Sequence, residues 1–211
     1  MCHDTDMKNR ILKERYSPVD ALKQLLGTET HIPDREYAGL SASFVLRDFP
    51  AKHTLVRAGD LWDRIFYIHQ GILRLFYIDP DGKEFNKGFF TEGQFLWPVA
   101  PSARQKTSLF SIAALEPLTL SVCGFSRFHD WLAWQGAWER FALPMAEAFA
   151  EEKFLREYEF LIHSPADRYL AFCKDHPALA ERLPDYHLAS YLGITNVSLS
   201  RIKSRIKSKK K

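Results

Sequence analysis

Near the C-terminus a run of short polar and cationic side chains, Thr195-Asn196-Val197-Ser198-Leu199-Ser200-Arg201-Ile202-Lys203-Ser204-Arg205-Ile206-Lys207, has the types and spacing to touch a polyanion. Leu199, Ile202 and Ile206 recur at three and four, the buried stripe of an amphipathic helix. At about 100° per residue the opposite side carries Val197, Ser200, Arg201 and Ser204, with Asn196 at the helix start. These groups are short or forked, which suits a helix entering a major groove N-terminus first. Arg201 can bind a guanine edge, Asn196 a base or a phosphate, and Val197 offers a methyl group instead of an acceptor. Thr195, Ser198, Lys203, Arg205 and Lys207 fall where phosphates would lie. From Arg201 to Lys211 there are seven Lys or Arg and no acid, while the 211-residue chain is only +3, so the other two hundred residues are net −4. Cations gathered in one place gain affinity by releasing counterions from a phosphate backbone. A solvated basic tail is the bland reading of the same charges.

The residues upstream decide between those readings. Asp185 is placed to cap a short helix in which Leu188 and Leu192 share one face. Ala189 is small where two helices must cross. Gly193 stands where the turn needs positive φ, Ile194 plugs the gap between the helices, and Thr195 caps the second one. The stretch reads as a helix-turn-helix. Ahead of it, Ser164-Pro165-Ala166-Asp167 is a helix start and a boundary, with Ser164 as cap. The helix it opens carries Tyr169, Leu170 and Phe172 and ends before His176-Pro177. From Ala137 to Ile162 a long helix is expected, with Glu152 and Arg156 as an i,i+4 pair and Pro144 as a kink or effective start. Its apolar residues spread over a broad arc, which predicts a dimer seam.

Between Ser43 and Gly124 the texture is β. Strands are expected over 44–46, 53–56, 64–71, 72–78, 85–90, 94–97, 109–114 and 118–123, with a hairpin turn at Asp79-Pro80-Asp81-Gly82-Lys83. The fold class is α+β: a jelly-roll β-barrel, a long dimerisation helix and a C-terminal helix-turn-helix domain lacking a full wing. The expected boundaries are 1–136 for an N-terminal arm and β-roll, 137–163 for the long helix and 164–211 for the DNA-binding domain. Residues 1–17 read as a loosely ordered or helical arm. Ser17-Pro18 opens a helix that Gly27 ends, a second follows over 34–40, and Ser126 caps another through Trp134.

Composition bounds the rest. The apolar and charged fractions, 46% and 26%, are those of a soluble globular protein. No apolar run is long enough to cross a bilayer, and Met1 to Tyr16 lacks the apolar core of a signal peptide. Cys2, Cys123 and Cys173 are odd in number and far apart, which fits a reducing cytoplasm. No paired metal-ligand motif accompanies His53 and His69, and neither a metal nor another cofactor is expected. No catalytic nucleophile–base pair appears, so the chain is not read as an enzyme; a metal-dependent β-barrel enzyme is the reading from another class.

Four stretches together resemble the CRP/FNR-type transcription regulators. Arg57-Ala58-Gly59-Asp60 is similar to the Gly-Asp turn of the cyclic-nucleotide-binding fold, and Phe66 to Leu75 to its strand–Gly–strand signature. Asp79 to Glu84 is similar to its hairpin, and Leu188 to Thr195 to the family's helix-turn-helix. The resemblance implies a parallel homodimer through the long helix, a two-fold-related double-stranded DNA site, RNA polymerase as a further partner, and no membrane. It also implies an effector pocket, whose positions here are Phe90, Gly93, Trp97, Arg104, Ser108, Lys153 and Phe154. Members that bind cyclic nucleotide follow the glycine with an acid for the ribose and hold the phosphate with an Arg-Ser pair. Here Gln94, Phe95 and Leu96 follow Gly93, and Ser108-Leu109 stands at the phosphate position. Arg104 and Lys106, in what reads as an exposed loop, are the substitutes at hand. The expectation is a DNA-binding regulator with a degenerate phosphate site and an effector of unknown kind. A cyclic-nucleotide- or other small-ligand-responsive regulator is the alternative. Val197 stands where the family often has glutamate, which implies a different preferred site.

Overall fold

The computed structural model describes residues 17–27 and 30–209. The expected arm and Cys2 lie outside the described residues. The chain forms two compact units. The first runs to Leu73 and resumes over 90–147; the second joins 74–89 to 148–211.

In the first unit, helices α1 (Pro18–Leu26) and α2 (Asp34–Ser41) precede β1 (Val45–Phe49), β2 (Thr54–Val56) and β3 (Arg64–Gln70). The strands β4 (Leu73–Ile78) and β5 (Glu84–Phe90) carry the chain into the second unit and back. Then come β6 (Phe95–Leu96), α3 (Pro101–Gln105), β7 (Ser111–Ala114), β8 (Leu118–Gly124), α4 (Phe125–Trp134) and α5 (Trp138–Ile162). Ser17 caps α1 as expected, its hydroxyl accepting from the Val19 amide. Ser126 does not cap α4: the cap position is Gly124, with no side-chain bond.

One sheet has the order β1-β8-β3-β6, all antiparallel, with Phe66 opposite both Val122 and Leu96. β2 pairs with β7. The expected closed barrel is therefore corrected to open sheets, since β1 and β6 end their sheet without a further neighbour. Ile65 to His69 are buried without alternation, because β3 has both faces covered. Ile65, Tyr67, Phe95 and Cys123 share a core with Leu22, Leu40, Phe128, Leu132 and Phe141 from the helices. Each of those last five is at most 1% exposed, and full burial of such a side chain contributes about 1.5–3 kcal/mol. Gly71, at φ +98°, ends β3 where a Cβ would meet the Pro117 carbonyl oxygen at 2.7 Å.

The second unit holds the β4–β5 hairpin, the later part of α5, α6 (Pro165–Asp175), α7 (Pro177–Arg182), α8 (Asp185–Tyr191) and α9 (Asn196–Lys209). The hairpin turn closes as its residues demand: the Asp79 carboxylate accepts from the amides of Asp81 and Lys83. Ser164 caps α6 by accepting from the Asp167 amide, with Pro165 in the first turn. α5 starts upstream of Pro144 and runs through it, so Pro144 is not the helix start. The short helices α3 and α7 were not anticipated. Among the described residues no helix is long and apolar enough to cross a membrane.

Candidate nucleic-acid interface

α8 and α9 are joined by the turn Leu192–Thr195. Leu188, Ala189, Leu192 and Leu199 are buried between the helices, while Ile202 and Ile206 are half-buried on the same side of α9. The turn satisfies the end of α8 by two backbone bonds, Gly193 amide to Ser190 carbonyl and Ile194 amide to Ala189 carbonyl. Gly193 has φ +69°, and a Cβ there would sit 2.5 Å from the Phe160 ring. Glycine is required twice over, for conformation and for space. Thr195 accepts from the Ser198 amide and starts α9. Asp185 does not cap α8; Pro184 holds the cap position, and the Asp185 carboxylate pairs with Lys203 instead.

The outward face is as the periodicity implied. Thr195, Asn196, Val197, Ser200, Arg201, Ser204, Arg205 and Lys207 are exposed, Val197 at 60%. Ser198 and Lys203 are half-buried, and the Lys203 ammonium lies 5.8 Å over the Tyr169 ring. Of the proposed phosphate contacts, Lys203 is thus already engaged.

Four polar side chains, Arg156, Arg168, Asn86 and Arg74, hold α8 and its C-terminal end. Arg156 donates to the carbonyls of Tyr191 at 2.9 Å, Lys87 at 2.5 Å and Asn86 at 3.3 Å, with its guanidinium 4.1 Å over the Tyr191 ring. The expected Glu152–Arg156 pair is corrected: Glu152 pairs with Lys153, and Arg156 turns to the carbonyls, which desolvate a cation at less cost than isolation would. Arg168, buried, donates to the carbonyls of His163 and Leu192. Asn86, buried on β5, donates from Nδ2 to the His187 carbonyl at 2.9 Å and lies 3.2 Å from His187 Nδ1. Arg74, bonded to Glu84 at 2.5 Å, approaches the same Nδ1 at 3.4 Å. Both neighbours of Nδ1 are donors, so its lone pair faces them and the proton sits on Nε2. Burial first, and then the Arg74 charge, push the His187 pKa down to about 4, against a raising effect of Glu84. Periodicity gave no signal for these contacts beyond one: Arg74 is a polar interruption in the otherwise apolar strand β4.

The effector positions of the first unit behave differently. Gly93 donates its amide to the Ile68 carbonyl, and the Gln94 side chain accepts from the Thr91 amide. Trp97 is 2% exposed and stacks on Phe125 at 5.9 Å. Arg104 belongs to α3 and not to an exposed loop. It donates to the Pro98 and Val99 carbonyls and lies 5.2–5.5 Å over the rings of Trp97, Phe125 and Trp138. Ser108 is buried and donates to the Phe110 carbonyl. Phe90 is half-buried, and Lys106 is exposed. The fold brings Trp97 and Arg104 together, while the Gly93 backbone is bonded to β3 at Ile68 and the Ser108 backbone to Gly59 and Asp60. Lys153 and Phe154 belong to the second unit; Lys153 lies 4.7 Å over Phe149, and Phe154 is 67% exposed. His69, buried, is 2.7 Å from the Ser121 hydroxyl, and the His53 ring lies 4.9 Å from Phe49.

Residues 46–133 match the cyclic nucleotide-binding domain family. FixK2 of Bradyrhizobium japonicum superposes with a TM-score of 0.70 at 11% identity, covering 79% of this chain and 85% of that one. A protein of Eubacterium rectale described as a transcriptional regulator of the crp/fnr family gives 0.68 at 9%, covering 89% of each chain. The global regulator CLP of Xanthomonas campestris, described as c-di-GMP responsive, gives 0.62 at 15%, covering 84% and 93%. The chain shares the fold of these solved structures, and its residues 46–133 are similar to the cyclic nucleotide-binding domain family. No curated protein matches the sequence significantly. Within that fold, α8 and α9 supply an exposed cationic helix face, while Arg104, Gln94 and Ser108 in residues 46–133 are bonded to backbone groups nearby.

Proposed function

We propose that this chain is a sequence-specific, homodimeric transcription regulator, with α8–α9 as its DNA-binding helix-turn-helix and α9 as the helix that enters the major groove. The observation that carries the reading is the α9 face: Arg201 exposed with Val197, Ser200 and Ser204 around it, on a helix whose other side is buried at Leu199. Arg201 is assigned to a base edge, and Thr195, Asn196, Ser198, Arg205 and Lys207 to phosphates or flanking bases. Lys203 joins them only by leaving Asp185.

A seam on α5 supports dimerisation. Phe154 and Leu161 lie on one side of the helix with Tyr158 beside them, and they are exposed at 67%, 75% and 51%. Residues 7 apart on a helix return to nearly the same direction, as Phe154 and Leu161 do, and such a seam suits a parallel partner. Two copies so joined present two α9 helices to half-sites about 34 Å apart on one face of the duplex. The chain acts in the cytoplasm, beside RNA polymerase. Selection of bound duplexes from a random pool tests the reading. A two-fold-related consensus is expected; equal retention of all sequences overturns it.

The family match at 46–133 favours a second reading, a small-ligand-responsive regulator. The engagement of Arg104 within the fold supports a degenerate phosphate site over one for cyclic nucleotide. Calorimetry with cyclic AMP and cyclic GMP separates the two. Absence of heat is expected, and micromolar binding overturns the degenerate-site reading.

A further inference from the structure

The β4–β5 hairpin touches α8 along most of that helix. Asn86 is bonded to it three times: its amide donates to the Ser190 hydroxyl at 3.0 Å, and Nδ2 reaches both the carbonyl and the ring of His187. The Ser190 hydroxyl donates onward to the Glu84 carbonyl at 3.1 Å. Phe89 packs on Tyr191 with ring centroids 5.5 Å apart. Arg74 closes the group from β4, bonding Glu84, Asn86 Oδ1 and His187. Asn86 and His187 are 3% and 5% exposed, so neither of these two regains water while the contact holds. A buried polar network of this kind fixes one arrangement, because any other leaves donors unsatisfied.

With this contact in place Ser200, Arg201 and Ser204 are exposed. Latching therefore leaves Arg201 and its neighbours open. The hairpin strands continue without a break into the first unit, since the boundaries at 73/74 and 89/90 fall inside β4 and β5.

We infer that the β4–β5 hairpin is a latch that positions the DNA-reading helix pair, with Asn86 as its central positioning residue; the inference rests on the DNA-binding reading of α8–α9. α8 is set by a strand pair and not by helix packing alone. Loss of the latch loosens α8 and lowers affinity for the specific site.

Asn86→Asp is the informative variant. It keeps an acceptor for Arg74 but faces the His187 carbonyl and Nδ1 with a carboxylate in place of two donors. The groups around the imidazole are then Arg74 and Glu84 from the hairpin, the new carboxylate, and Tyr186 on α8, whose ring centroid is 4.0 Å away. A carboxylate there favours the imidazolium, which donates to it, so the latch returns on mild acidification. Hydrogen exchange of the α8 amides is read in the full-length protein, relative to wild type at the same pH. At pH 8 the variant is expected to lose protection by about tenfold, and by pH 6 to recover most of it. Amides of β3 and β8 serve as the folding control. Ser190→Ala, a smaller change, is expected to lose about threefold in α8 at both pH values.

Unchanged α8 protection in both variants overturns the latch. Lost protection without recovery at pH 6 marks a merely structural defect and overturns the positioning role of Asn86. Binding to the selected duplex at pH 8 is expected to weaken about tenfold in Asn86→Asp; unchanged affinity with lost protection also overturns the positioning role. If wild type selects no duplex, the DNA-binding reading fails by itself, and the exchange data still decide whether the hairpin latches α8.

Discussion

Arg104 and Arg201 are both arginines for which the sequence suggests an outside partner, a phosphate for the first and a base edge for the second, and the two units treat them in opposite ways. Arg104 is folded back onto two carbonyls and three aromatic rings of its own unit. Arg201 stands exposed on α9, with a buried stripe behind it. The same contrast runs through their neighbours: Gln94 and Ser108 bond to local backbone, while Asn196 and Ser200 face outward. Exposure therefore separates the two arginines better than residue type does.

The comparison is sharpened or broken by substitution. The largest effect is expected from Phe154→Asp combined with Leu161→Asp on the α5 seam. The protein should sediment as a monomer and bind the two-fold site on the order of a hundredfold more weakly, because the second half-site contact is no longer intramolecular. A dimer that survives would move the seam elsewhere. Gly193→Val forces a Cβ against Phe160 in a backbone conformation that valine resists, and is expected to cost about 3 kcal/mol in denaturant unfolding of the second unit.

Arg201→Ala against Arg104→Met tests the contrast directly. The first should cost about 1–3 kcal/mol on the selected duplex and relax preference at one base pair per half-site, with stability unchanged. The second should leave DNA affinity intact and lower the thermal stability of the first unit by about 1–2 kcal/mol.

A pH effect of comparable size is expected in the second unit. The folded His187 pKa, about 4, lies below its ordinary 6.5, so the unfolded chain binds the proton more readily in that interval. Stability is full above 6.5 and falls as pH drops toward 4, by on the order of 2 kcal/mol. His187→Gln should flatten that slope in chemical unfolding curves. The smallest effect is Asp185→Asn, which releases Lys203: non-specific binding should strengthen about twofold, and the salt slope should steepen by no more than about one.

The sequence carried the fold further than it carried the contacts. Local rules located every strand and the Ser17, Ser164 and Thr195 caps, because capping, turn chemistry and alternation act over a few residues. The same rules erred at Asp185, where Pro184 took the cap position and the acid found Lys203, and at Ser126, displaced by a helix that starts at Phe125. Arg156 shows the deeper limit. Its i,i+4 partner was visible, but the carbonyls that hold it come from residues 35 to 70 positions away. The exposed face of α9 was legible because its period is intrinsic to one helix. The Asn86–His187 contact was not, since it depends on a hairpin meeting a helix 101 positions later.

That the second unit borrows residues 74–89 has a practical corollary for dissection. A fragment beginning at Ala148 would contain every proposed DNA contact yet leave behind the strand that covers His187, stranding an imidazole and the Ser190 hydroxyl in open solvent. Excision at a linker, the usual route to an autonomous DNA-binding module, has no counterpart in a chain whose unit boundaries fall within β4, β5 and α5.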